Sequence, residues 1–259
     1  MLEFIRRNLY FDNWPMVLWQ RAFSRRSRLL AFRRGPIEFV VDYSGGDQCG
    51  VLPCLTSDMY SRHFGVLAKE RPLRIIDLGA NAGGFCLSLL AAGFSFERIV
   101  CVEMNRRTWT RLQFNICQNF DCETVVLNAA IAGRTGSIPI GDSRGGTSES
   151  LYAKRTGGGK TLEVPLTTID DLVRTHFGDH PATAIDLCKM DVEGAEYDIF
   201  QSPTCATIRR VKFLLMEIHP HTGAREADLI AKIEAFGFEQ VAGKVAGEQH
   251  VYLFRNVAL

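Results

Sequence analysis

The sequence predicts an α/β fold, a mostly parallel sheet with helices on both faces. Three observations lead there. From Arg74 onward, short apolar runs alternate with stretches of helical periodicity. The first run, from Leu73 to Ile76, passes through Asp77 into Gly79-Ala80-Asn81-Ala82-Gly83-Gly84 and then the apolar segment Phe85–Ala92. That order reads as a buried parallel strand, a tight turn and the start of a helix. Four apolar runs also end in polar side chains: Asp77, then Glu103, then Asp191 with Glu193, then Glu217 with His219. Ligands of open α/β sheets lie beyond the carboxyl ends of the strands, so these groups share the edge where chemistry belongs.

Residues 1–35 mix arginine with Phe4, Phe11, Trp14, Trp19 and Phe23, and Pro15 interrupts any single helix, so one or two short helices are expected. Such a segment suits an anionic membrane surface or a partner protein. The plainer reading packs it on the domain with its arginines solvated. Ile37–Tyr43 reads as a strand ended by Ser44-Gly45-Gly46, and beyond Pro53 either Thr56 or Ser57 is placed to cap a helix. This segment precedes the first core strand and is expected near the ligand crevice. Tyr60 and His63 are candidate substrate contacts there, with packing as the alternative.

From residue 74 the alternation is steady. Strand 74–78 leads to helix 84–92, stopped by Gly93, and strand 98–103 leads to a helix over 106–119. Trp109, Leu112, Ile116 and Phe120 share one face of that helix and read as core. Strand 124–127 then runs into Asn128-Ala129-Ala130. Between Gly133 and Lys160 eight glycines break the rhythm, bracketed by the strand-like runs Ser137–Ile140 and Leu162–Pro165. An insertion of this kind reads as a mobile lid, with surface disorder as the alternative. Thr168, with Asp171 three residues on, caps the next helix. Strand 184–190, a helix to about 202, strand 211–218, a helix over 225–236 stopped by Gly237, and an antiparallel pair at 238–241 and 250–255 complete the chain.

Composition sets limits on function. With 46% hydrophobic and 23% charged residues the chain has an ordinary globular make-up, and its length suits one substantial core. A net charge of +1 gives no global field for nucleic acid, and no such partner is expected. The charge is uneven, however: residues 1–35 hold eight Arg against Glu3 and Asp12, a net of +6, and the remainder carries −5. The eight cysteines show no Cys-x-x-Cys and no metal-like spacing, and Cys86, Cys101 and Cys188 sit in apolar segments. No apolar run reaches the length of a membrane span, and the first residues lack the apolar core of a signal peptide, so a reduced, cytoplasmic protein is expected.

The turn after the first core strand departs from a dinucleotide fingerprint. Asn81 stands where a second glycine would be, and Asp77 precedes the first, a poor neighbour for a pyrophosphate but a good one for a cationic or amine-bearing ligand. Small residues let the backbone approach such a ligand closely. Glu103, 20 residues beyond Gly83, is placed to accept both hydroxyl protons of a ribose, with Asn105 in support; the alternative is a solvated turn residue. Lys189, Asp191 and Glu193 emerge from an apolar strand and must be paired or face a pocket; a structural salt-bridge network is the plainer alternative.

The stretches DLGANAGG (77–84), VEMN (102–105), NAAI (128–131), TTIDDL (167–172), KMDVEGAE (189–196) and MEIHP (216–220) occur in that order over residues 74–241. The first resembles motif I of class I S-adenosylmethionine-dependent methyltransferases, and the set together resembles the FkbM family of these enzymes. The resemblance implies a Rossmann-like class I methyltransferase fold, with a mostly parallel seven-stranded sheet ending in a reversed hairpin. It implies S-adenosyl-L-methionine held by Asp77, Gly79, Ala80, Asn81, Gly83, Glu103, Met104 and Asn105, with Asn128 and Ala129 flanking the adenine. Residues 1–60 then form a helix-and-strand extension that covers substrate or docks the protein, and 61–259 the methyltransferase domain.

Family members act on hydroxyls of polyketides, sugars and other carbohydrate-bearing molecules, so the expected activity is O-methylation of a saccharide or related hydroxylated metabolite. Methyl transfer from a sulfonium is an in-line displacement in which alignment matters most and a base removes the acceptor proton. Asp191 and His219 are candidates for that base; Glu193 and Glu217 hold the acceptor or orient the base, and Lys189 pairs with one of them. The hard donors among Asp191, Glu193, Glu217 and His219 suit a divalent metal, but their spacing does not require one and no metal ligand is assigned. A polyketide-type acceptor, a nicotinamide-dependent oxidoreductase and a non-catalytic binding module are the competing readings. Asn81, Asp77 and the lack of a Tyr-x-x-x-Lys pair count against the oxidoreductase.

Overall fold

The computed structural model describes residues 9–23, 29–141, 161–180, 183–221, 223–243 and 251–259. Its centre is a seven-stranded sheet of β3 (Leu73–Leu78), β4 (Phe96–Val102), β5 (Glu123–Leu127), β9 (Ile185–Met190), β10 (Val211–Glu217), β11 (Phe238–Ala242) and β12 (Val251–Asn256). Their spatial order is β11-β12-β10-β9-β3-β4-β5. The five strands from β10 to β5 are parallel, and β12 runs against both its neighbours, so the last hairpin holds a single reversed strand. The chain leaves β3 towards β4 on one side and returns to β9 on the other. The crevice at that reversal is where such sheets bind ligands.

Apolar runs form these strands because both sheet faces are covered. Every residue of β9 is buried, the signature of a strand sandwiched between two layers. In β3, Ile75 joins one core and Ile76 and Leu78 the other, as strand alternation requires. The first core packs α3 (Gly84–Ala91) and α4 (Arg106–Asn119); the second packs α5 (Ile169–Phe177), α6 (Glu196–Gln201) and α7 (Glu226–Ala235). Thr168 caps α5 as expected, accepting from the Asp171 N–H at 3.1 Å and donating to Asp171 Oδ2 at 2.8 Å. No helix among the described residues is long and apolar enough to cross a membrane.

The N-terminal region differs from the sequence expectation. Pro15 does not interrupt α1 (Trp14–Phe23) but lies in its first turn, where a missing N–H costs nothing. The same stretch, from which one or two short helices are expected, also contributes β1 (Leu29–Arg34), which pairs with β2 (Ile37–Asp42) in a separate hairpin. A helix unseen in the sequence, α2 (Asp47–Thr56), follows and contains Pro53. Thr56 and Ser57 therefore do not cap a later helix; their hydroxyls donate back to Leu52 O and Pro53 O and close this one. Downstream, β6 (Ala130–Ile131), β7 (Gly136–Gly141) and β8 (Thr161–Thr167) make a small sheet from the runs that bracket the glycine-rich insertion. Residues 142–160 of the expected lid lie outside the described residues.

The hairpin is fastened to the domain by side chains. Asn115 on α4 donates to Val40 O at 3.0 Å and accepts from Val40 N at 2.8 Å; Asn119, one helical turn on, does the same for Glu38. A helix repeats every four residues over about 6 Å and a strand every two over about 6.7 Å, so two amides satisfy two rungs of the open edge. Asn115 also donates to Ala82 O at 2.8 Å, which joins the hairpin to the turn after β3. Asn115 is fully buried. Replacing it with Leu orphans the buried Ala82 carbonyl and the half-buried N–H and C=O of Val40 and is expected to cost about 2–4 kcal/mol, measured as a fall in urea midpoint at unchanged slope.

Candidate active site

The turn after β3 is shaped by close approach. Gly79 has a φ of +71°, and a Cβ there would stand 1.8 Å from the backbone oxygen of Asp191. The turn is thus pressed against the end of β9, and only glycine fits. Asn81 sits at a φ of 48°, with its side-chain oxygen accepting the Ala82 N–H at 2.7 Å. The Asn81 N–H donates to Glu103 Oε2 at 3.0 Å, and the Asn105 N–H donates to Glu103 Oε1 at 2.7 Å. Both oxygens of Glu103 are therefore oriented by backbone. Asn105 is itself fixed as the cap of α4, accepting from the N–H groups of Arg107 and Thr108. Asn128 ties β5 to the same loop by donating to the carbonyls of Glu103 and Met104 at 3.0 Å.

A charged cluster lies beside this turn. Lys189 is buried, its ammonium 3.4 Å from both Asp77 and Asp191 and donating to Gly79 O at 2.7 Å. Its partners are Asp77 and Asp191, not the Glu193 or Glu217 that the sequence suggested. Burial works against the charged lysine, but Asp77, Asp191 and Glu217 together hold its pKa well above the usual lysine range. Asp77 is wholly enclosed, with no surface on the crevice, and burial pushes its carboxyl upward against the pull of Lys189. The expectation that Asp77 meets a ligand directly is corrected: it anchors Lys189 beneath the site.

His219, two residues beyond β10, stands between acidic groups. Its Nδ1 is 3.0 Å from Glu196 Oε1, and its Nε2 is 3.7 Å from Asp191 and 3.6 Å from Glu193. Burial disfavours its charged form, yet the Glu196 hydrogen bond and the surrounding carboxylates push its pKa up to about 9. The imidazolium is the form present near neutrality, and both ring nitrogens then donate. Burial raises Glu193 to about 7, with Asp191 adding to the rise and His219 opposing it. Glu193 also has a φ of 53°, a strained conformation for a non-glycine residue. Across the crevice Tyr60 donates to Glu217 Oε1 at 2.6 Å and packs edge-on against Phe85. Burial lifts the Glu217 carboxyl, and Asp191 adds to it. Asp191, Glu217 and His219 each offer one metal-ligand atom, all within 4.8 Å of one another, but the Lys189 ammonium already supplies positive charge there.

These groups open on a cavity of about 390 Å³ at the carboxyl ends of β3, β4, β9 and β10. Eleven of the expected residues line it: Gly79, Ala80, Asn81, Glu103, Met104, Ala129, Lys189, Asp191, Glu193, Glu217 and His219. Asp77 and Gly83 stand behind the wall, and Gly83 begins α3 at a φ of +91° against Leu112. Asn105 and Asn128 face a separate hollow of about 200 Å³ shared with Met104. Tyr60 lines the cavity, while His63 does not.

Sequence reasoning missed two parts of this arrangement. Glu196 is fully buried under His219, and only its place at the end of KMDVEGAE marked it. The wall formed by Cys49, Gly50, Cys54 and Met59 comes from α2 and the loop after it. It lies there because α2 packs on α3 so tightly that a Cβ on Gly84 would meet the Val51 backbone at 2.7 Å.

A family model described as the methyltransferase FkbM domain matches residues 77–241, more than half of the chain. The chain belongs to the FkbM methyltransferase family. No curated protein matches this FkbM-family chain in sequence. Among solved structures, the methyltransferase FkbM of Methylobacillus flagellatus KT is 18% identical with a TM-score of 0.51, over 76% of this chain and 47% of that one. The chain thus spans about half the length of that relative. The magnesium protoporphyrin IX methyltransferase of Synechocystis PCC 6803, solved with bound SAM, is 10% identical with a TM-score of 0.46, over 97% of both chains. S-adenosylmethionine is the cofactor of this FkbM-family protein. The residues present fit it: a close-approach turn, an oriented carboxylate at Glu103, small and apolar flanks at Ala129 and Met104, and an acidic floor for a cation.

The buried pair beneath the site carries a test. Lys189→Met removes the cation paired with the buried Asp77 and is expected to cost about 3–5 kcal/mol of stability, whereas adding Asp77→Leu recovers much of that loss. Urea unfolding of the two variants at neutral pH measures the difference.

Proposed function

We propose that this FkbM-family methyltransferase methylates a hydroxyl oxygen of a saccharide or related hydroxylated metabolite. The observation that carries the reading is the group Glu193, His219, Asp191 and Glu217 gathered at one end of the cavity. Carboxylates accept several hydroxyl hydrogen bonds at once, and a polyhydroxylated acceptor needs such partners. An alcohol also needs a base, and catalytic bases work best with a pKa near the operating pH. Glu193, at about 7, meets that condition. His219, expected as a base from sequence, is protonated near neutrality, and its role becomes stabilising Glu193 and Asp191.

S-adenosylmethionine supplies the electrophilic methyl carbon when bound. Glu103 would hold the ribose hydroxyls, because each of its oxygens is aimed by a backbone N–H and accepts more than one donor. Ala129 and Met104 would flank the adenine. Glu193 accepts the acceptor's proton as its oxygen attacks, while Glu196 keeps the His219 ring in place from below. Tyr60 fixes Glu217, so that the acceptor meets an oriented carboxylate. Tyr60 is a positioning residue in this scheme. The apolar part of the wall, Cys54, Met59 and Phe85, favours a second acceptor class, hydroxylated polyketide-type molecules.

Incubation with labelled S-adenosylmethionine and a panel of glycans, hydroxylated metabolites and polyketide alcohols is expected to give an O-methylated product from the first two sets. Product from the polyketide alcohols alone would replace the saccharide reading. No product from any acceptor, with cofactor binding intact by calorimetry, would point to a binding protein. Glu103→Ala is expected to weaken cofactor binding about 10- to 100-fold without altering the fold, as for other groups that orient a bound ligand through paired hydrogen bonds.

Glu193→Gln is expected to lower kcat about 100-fold or more at unchanged cofactor affinity. Because the base must be deprotonated, kcat/KM should rise with pH through about 7 in the native protein. A rise centred near 9 would transfer the role to His219.

A further inference from the structure

We propose that α1 docks the protein on the surface of an anionic lipid bilayer. A helix that merely packed on the domain would bury its apolar side chains and leave its arginines in water. In α1 the large apolar side chains are exposed instead. Val17 is the buried residue of α1, whereas Trp14, Met16, Trp19 and Phe23 are 37, 45, 61 and 73% exposed. Met16, Trp19 and Phe23 stand at positions i, i+3 and i+7, which places them on one face. Trp19 and Phe23 lie 6.1 Å apart and extend that face as a pair. Leu9 and Leu29, on either side of the helix, are also exposed, at 49 and 55%. Contiguous large apolar side chains facing water mark a docking site.

Charge selects the occupant. The first 35 residues carry a net of +6, while the rest of the chain carries −5. Three of those arginines lie among the described residues and are exposed: Arg33 and Arg34 on β1, and Arg21 on the helix itself, stacked over Tyr43 at 4.2 Å. Aromatic side chains flanked by arginine suit the headgroup region of an anionic leaflet, where rings enter the acyl boundary and cations stay at the phosphates. Size argues against a protein partner. Ten helical residues span about 15 Å. The exposed parts of Met16, Trp19 and Phe23 amount to roughly 400 Å², about half of the ~800 Å² per side of a stable protein interface. Shallow insertion of three or four side chains needs no larger area.

The position agrees with such a role. The β1–β2 hairpin that carries α1 runs directly into α2, which lines the cavity. Phe11, just before the helix, packs against Phe32 and Phe39 of the hairpin and fixes the helix to it.

Co-sedimentation of the full chain with phosphatidylcholine vesicles, and with vesicles containing about 30% phosphatidylserine, tests the proposal. Binding is expected to the anionic vesicles alone and to weaken as salt is raised. Trp19→Ser with Phe23→Ser should lower the partition coefficient about tenfold or more, with circular dichroism and thermal midpoint unchanged because both side chains are exposed. Equal binding by the double variant, binding independent of lipid charge, or no binding by the native chain would overturn it. Native self-association that the double variant abolishes, without vesicle binding, would overturn it in favour of a second copy of the chain.

Discussion

The ammonium of Lys189 sits where the sheet reverses direction, between Asp77 on the first core strand and Asp191 just past the fourth. It holds the two strands' ends together and touches the carbonyl of Gly79 in the turn between. The buried charges of Lys189 and Asp77 are expensive to desolvate, and with the half-buried Asp191 each is tolerated because the others are present. The arrangement also ties cofactor turn to acid–base cluster. The turn must press against Asp191 for Lys189 to reach Gly79, and this is why position 79 admits no side chain.

Around that pin the electrostatics divide into layers. Asp77 and Glu196 are enclosed and serve to hold cations in place; Lys189 and His219 are those cations; Asp191, Glu193 and Glu217 face the cavity. Carboxylates exceed cations, so the site favours a positively charged ligand, as a sulfonium cofactor demands. Burial, with the neighbouring carboxylates adding to it and His219 opposing it, raises Glu193 into the range useful for proton transfer.

The N-terminal extension shares in the site while lying outside the residues that match the family. Tyr60 reaches across the cavity to Glu217, and α2 supplies a wall of cysteine and methionine. Asn115 and Asn119 fasten the hairpin that precedes α2, so the stability of this wall depends on amides set in a helix of the main domain. One unit of the chain therefore lines the cavity, and it presents an exposed aromatic helix on its outer side.

Much of this was legible in the sequence because it depends on local order. Apolar runs of strand length, glycine stops at Gly93 and Gly237, the Thr168 cap and the polar residues that end each strand report their roles without reference to distant parts. The seven-stranded sheet and eleven of its cavity residues followed from those signals. What only the tertiary structure decided is which charge meets which. Asp77 and Lys189 are 112 residues apart, Tyr60 and Glu217 are 157 apart, and nothing local distinguishes an enclosed carboxylate from an open one. The N-terminal elements were misread for a related reason. Arginine and proline there obscure periodicity; α2 is held by packing on α3, and β1 by pairing with β2 and by the side chain of Asn13, so their form is set by the surfaces they meet.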